Sequence, residues 1–139
     1  MGFYGSYGAV FEAVKAALQA KETIKTVVLG VQFTVGGLPK AVINAEPAPV
    51  ESLEMGGTLT VKVNFSIVVV ILEYEPKDWF ADIISVMGDV VDAVLADRTL
   101  AGTAKDCFPT GFAPGEIRFK DKLFYGGVIR FQAVVWYAP

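Results

Sequence analysis

Residues 58–74 read TLTVKVNFSIVVVILEY. Leu59, Val61, Val63, Phe65, Ile67, Val69 and Ile71 take every odd position, and a period of two marks a strand with one face on a core. The even positions change character partway along. Thr58, Thr60, Lys62, Asn64 and Ser66 are polar, whereas Val68, Val70 and Leu72 are apolar. A second face that turns apolar is covered at that end. The pattern leaves two covers open, a helix of the same chain or a neighbouring subunit, and makes Val68, Val70 and Leu72 the candidate subunit interface.

Downstream, Glu75-Pro76 ends the strand, and Pro76 suits a helix start, where its missing amide is not needed. Trp79, Phe80, Ile83, Ile84, Met87, Val90, Val91, Val94 and Leu95 recur at helical spacing. On the opposite face Asp78, Asp82, Ser85, Asp89 and Asp92 form a narrow row with no lysine to pair it. The helix then stops at Asp97-Arg98-Thr99-Leu100-Ala101-Gly102. Gly102 is expected to take the left-handed conformation of a helix exit, with Asp97, Arg98 and Thr99 satisfying terminal carbonyls and neighbouring chain.

Upstream, Tyr7, Val10, Phe11, Val14 and Leu18 share one helical face, which predicts a first helix over Tyr7 to Lys21 capped by Ser6. Val27 to Val35 alternates as a strand ending at Gly36-Gly37, and a short strand follows over Lys40 to Asn44 before a loop carrying Pro47 and Pro49. Toward the C-terminus, strands are expected over Glu116 to Lys120 and Lys122 to Tyr137, the latter with a bulge or bend at Gly126-Gly127. The order is α-β-β-β-α-β-β: an α+β fold, a mostly antiparallel sheet with two main helices packed against it, in one domain spanning 1–139.

The chain has 139 residues, 53% of them hydrophobic, and a mean hydropathy of +0.48. The longest apolar run, Ile67 to Leu72, falls far short of the ~20 residues of a spanning helix. The N-terminus has no basic region before its apolar residues, and Glu12 interrupts them, unlike a secretory signal. Twelve basic against fifteen acidic residues give a net charge of −3, which disfavours direct binding to phosphate backbones or an anionic membrane surface. The apolar content exceeds what one small core uses, and the excess points to an interface between subunits.

The inventory for chemistry is thin. No histidine is present to serve as general base or metal ligand. Cys107 has no base at a useful spacing and reads as a structural thiol. The aspartate row lacks a second carboxylate cluster to complete a cation site, and neither GSYGAVFEAVK nor VGGLPK is a phosphate-cradling loop. Trp79 and Trp136 fall in packing patterns rather than a nucleobase-stacking arrangement. No catalytic residue, metal or cofactor is expected.

The run DAVLADRTLAGTAKD (92–106), preceded by the long strand and by LPKAVINAEPAPVES (38–52), and followed by FPTGFAPGE (108–116) and YGGVIRFQAVVWYAP (125–139), resembles the tail-terminator, or tail-completion, proteins of long-tailed bacteriophages and related viruses. The resemblance covers nearly the whole chain in order, with ADRTLAG (96–102) as its local motif; Ala101 stands where a glycine is more usual. It implies a structural virion protein of the tail or neck, assembled in the host cytoplasm. Such a subunit closes with itself into a hexameric ring, caps the tail tube, stops its polymerisation and meets the head-tail connector protein. DNA would pass through without specific binding, and Asp78, Asp82, Asp89 and Asp92 would then suit the ring lumen, repelling the DNA backbone. Two other classes remain: another neck or tail component, either a head-tail joining protein or a tail-tube subunit, and a small-ligand domain with a pocket built from Tyr74, Trp79, Trp136 and the aspartates.

Overall fold

The computed structural model describes residues 2–30, 37–48, 50–52, 57, 59–73, 79–119 and 122–137; the side chains of Tyr4, Glu51, Ser52, Leu72, Glu73, Trp79, Arg118, Phe119 and Lys122 fall outside that description. Its elements are α1 (Phe3–Gln19), β1 (Thr26–Leu29), β2 (Lys40–Glu46), β3 (Val50–Ser52), β4 (Leu59–Glu73), α2 (Trp79–Leu95), β5 (Asp106–Phe119) and β6 (Lys122–Tyr137). Five strands lie in the order β1-β2-β4-β6-β5, and the three-residue β3 pairs with β4 beside this path. The fold is α+β with a mixed, mostly antiparallel sheet. Among the described residues only β1 and β2 run parallel.

β4 is the central strand, and its odd residues do what their period requires. Val61, Val63, Phe65, Ile67, Val69 and Ile71 are all buried. Val10, Val14 and Leu18 of α1 and Ile83, Met87, Val90 and Val94 of α2 join them in one cluster, so both helices cover the same face of the sheet. The even residues of β4 face the other way, beside Val42 of β2 and Val128 of β6. Val68 and Val70 are half-buried on that second face. Among the described residues no helix covers them, because α1 and α2 both pack on the side of Val69 and Ile71.

A bulge at Ile71 breaks the alternation further. Val70 stands opposite Gly126 but Leu72 stands opposite Tyr125, while the side chain of Leu72, expected at the interface, lies outside the described residues. The bulge expected at Gly126-Gly127 therefore lies in the partner strand. The glycines serve close approach instead. A Cβ on Gly126 would strike the carbonyl oxygen of Val69, and one on Gly127 would lie 2.6 Å from Met87 Cε. They let β4 and α2 seat directly on β6.

Several boundaries differ from the sequence expectation: α1 ends at Gln19 rather than Lys21, and the short β3 falls in the segment expected as a loop. α1 begins at Phe3 after Gly2, with no side-chain cap, and the Ser6 amide donates to the Gly2 carbonyl at 3.0 Å. The cause is packing rather than capping. Phe3, Tyr7 and Phe11 repeat every four residues and stack as a ridge, with ring centroids 5.4 Å apart for Phe3–Tyr137 and 5.9 Å for Phe11–Phe65. β5 starts ten residues before the expected Glu116, since an edge strand tolerates Pro109 and Pro114 on its unpaired side. β2 extends two residues past Asn44. The expected start at Pro76 and the alternation over 31–36 lie outside the described residues.

Candidate functional surfaces

The helix exit is the most tightly built local feature. Asp97 Oδ1 accepts from the Thr99 amide at 3.0 Å and the Thr99 hydroxyl at 2.6 Å, while Oδ2 accepts from the Ala101 amide at 3.0 Å. Asp97 thus satisfies amides, not the carbonyls expected of it; a carboxylate has only acceptors to offer. Three bonds to one carboxylate, the Thr99 hydroxyl foremost, hold Asp97 below the ordinary carboxylate range. Leu100, Ala101 and Gly102 are all left-handed, with φ of 49°, 58° and 82°. The expectation of one left-handed residue was too modest. Leu100 is drawn into the core by this reversal and is 3% exposed, so the apolar side chain offsets the backbone strain.

Arg98 completes the joint. Its Nε and Nη2 donate to Asp106 Oδ1 and Oδ2 at 2.7 and 2.8 Å, a two-pronged pair that ties the turn to the first residue of β5. The guanidinium holds the Asp106 carboxyl below its usual range. Next to it, burial pushes the Cys107 thiol up to about 12, with the charge of Asp106 adding to the effect. Cys107 is fully buried opposite Ala133. A neutral thiol without access to solvent packs and does not attack.

The aspartate row is only partly as the helix period suggested. Asp82 and Asp92 are exposed and, among the described residues, have no cationic partner. Asp89 is half-buried and accepts from the Thr23 hydroxyl at 3.1 Å, which links α2 to the turn that follows α1. Asp78 lies outside the described residues. Among the described residues no group of three or more His, Cys, Asp or Glu side chains is placed to hold a metal ion, and no helix is long and apolar enough to cross a membrane.

The residues proposed for a ligand pocket are not gathered. Trp136 is 55% exposed on the sheet face opposite α2, so it cannot share a pocket with the aspartates. Its ring is instead covered in part by the Lys105 ammonium, 4.9 Å from the centroid. Tyr74 and the Trp79 side chain lie outside the described residues. A groove of about 420 Å³ does run between the helix C-termini, lined by Ala13, Ala17, Ala93, Ala96 and Leu100 with Asp97 at its side. Its walls are almost wholly apolar.

Sequence reasoning missed where the apolar excess is exposed. Besides Trp136, the large apolar side chains left open include Phe80 at 57%, Ile84 at 37% and Phe112 at 46%. Phe80 and Ile84 carry the apolar period of α2, yet both are exposed while Ile83, Met87, Val90 and Val94 of the same helix are buried. A helical period alone does not show how wide the underlying sheet is. The signal was present in the width of the stripe, which exceeds a one-sided contact.

No family model matches the chain, and no curated protein matches it either.

Proposed function

We propose that this chain is a tail-terminator subunit that closes with copies of itself into a ring, hexameric by the resemblance, capping a viral tail tube. The observation that carries the reading is the ADRTLAG joint within the α+β order. The run on which the resemblance rests folds into a turn whose side chains fix the exit from α2 and its entry into β5. Nothing in that joint needs a substrate. Its carboxylates are engaged with amides and a guanidinium, and its cysteine is sealed.

The exposed apolar side chains on both sides of the sheet agree with a ring. A ring subunit meets two neighbours through two different surfaces, and each must bury apolar area. In this reading the partners are sister copies, the tail-tube protein on one side and the head-tail connector on the other. DNA passes without specific contacts, and the protein resides in the tail or neck of the virion after assembly in the host cytoplasm.

The test is tube growth. Purified protein is added to a polymerising tail-tube protein and followed by negative-stain microscopy. Discrete rings seated on tube ends, with tube length falling as more protein is added, support the reading. Incorporation along the tube, or long tubes of this chain alone, would make it a tube subunit; a monomer that retains a small molecule in native mass spectrometry would make it a ligand-binding domain.

A further inference from the structure

We infer that the outer edge of β5 is built to refuse a further strand, so that neither a second copy of this chain nor a tube subunit extends the sheet there. β5 is the last strand on its side of the sheet, and among the described residues nothing pairs with its outer side. A bare edge of 14 residues is ordinarily a template for strand addition. Its backbone, however, lacks most of the donors that a template needs.

Proline has no amide, so Pro109 and Pro114 fit a ladder only where the backbone nitrogen faces away from the partner strand. They are five residues apart, and in a regular strand an odd spacing would turn one of them inward. The register shift between Pro109 and Gly111 removes that conflict. Pro109 stands opposite Phe131 and Pro114 opposite Gly127, partners four apart on β6, so the extra residue turns both prolines outward. By the same register the other outward positions between 107 and 114 are Cys107 and Phe112. The Cys107 amide already donates to Asp106 Oδ1 at 2.9 Å. Of these four outward positions only Phe112 is left with an amide to offer. A strand laid along this stretch would find acceptors but almost no donors, and the shift twists the edge away from it. The purpose of the device rests on the terminator reading above: growth by strand addition ends at this chain, and copies meet through side chains instead.

Pro109→Val with Pro114→Val restores both amides, and a thermal melt by circular dichroism checks that the variant folds. Sedimentation equilibrium and thioflavin T fluorescence then read strand addition. The variant is expected to form open polymers that bind thioflavin T and whose mass keeps rising with concentration. Two restored amide bonds, at about fivefold each in association, should bring their onset to a concentration about 25-fold below that of any in the wild type. A folded variant that assembles just as the wild type does would overturn the inference while leaving the ring reading intact. A second readout needs no variant. The Phe112 amide of the assembled wild type is expected to exchange its hydrogen as fast as in dilute protein, and protection gained on assembly would overturn the inference as well. A wild-type chain that is monomeric throughout, beside a polymerising variant, would remove the ring reading and keep the closed edge.

Discussion

Ala101 offers a test in which the structure and simple intuition disagree. Replacing a helix-compatible alanine by glycine normally destabilises, by about 0.5–1 kcal/mol, through the greater freedom of the unfolded chain. Ala101, however, is left-handed at φ 58°. That conformation costs an L-residue about 1–2 kcal/mol, which glycine avoids. The amide that donates to Asp97 Oδ2 remains in the variant, and Ala101 is exposed, so no packing is lost. The difference predicts that Ala101→Gly stabilises by roughly 0.5–1 kcal/mol, which for a chain of this length raises Tm by about 2–4 °C. Gly102→Ala, at φ 82°, should lower stability by a similar amount. Gly88→Ala, where an added Cβ meets nothing within 4 Å inside α2, should raise it as a control for ordinary helix propensity. Urea titrations followed by circular dichroism give all three. If Ala101→Gly lowers the midpoint as Gly102→Ala does, the account of the turn is wrong.

Other consequences are as direct. Gly126→Ala places a Cβ against the Val69 carbonyl, a backbone atom with no room to yield, and should cost about 1–3 kcal/mol or abolish folding, read as loss of soluble protein or a collapsed melt. Leu18→Ala empties a fully buried site under α1 and should cost about 2–5 kcal/mol in urea. Because Asp97 and Asp106 sit below the ordinary carboxylate value of 3.8 when folded, the unfolded chain takes up protons first. Their contribution is complete above 3.8 and is lost as pH falls below it, and Asp97→Asn should flatten that part of an acid titration. Cys107 works in the opposite direction: its unfolded thiol ionises near 9.0 and its folded one near 12, so stability declines as pH rises above 9.0. Native protein should resist iodoacetamide at pH 8 and react once unfolded.

Elements held by their own periodicity were legible. β4, β6 and α2 follow directly from period two or period 3.6 and from residues that end such runs. What the sequence did not disclose depends on neighbours. Pro109 and Pro114 look like loop residues until β5 is known to be an edge strand. The purpose of Gly126 and Gly127 appears only when Val69 and Met87 are placed against them. The parallel pairing of β1 with β2 has no local signature at all. The candidate site divides in the same way. The ADRTLAG run was recognisable as an exit, yet the roles of its side chains, Asp97 bonding amides and Arg98 reaching Asp106, required the fold. Val68 and Val70 were read correctly as sharing a face, but the exposed large apolar side chains include Phe80, Ile84, Phe112 and Trp136, where sheet width and strand order decide what is covered.

The claim that sister copies cover those side chains is tested most directly by sedimentation equilibrium of the unmodified protein over a wide concentration range. The account predicts a single closed species of several copies, a hexamer by the resemblance, that does not grow further as concentration rises. A folded monomer at every concentration, or an open series of ever larger polymers, would contradict it.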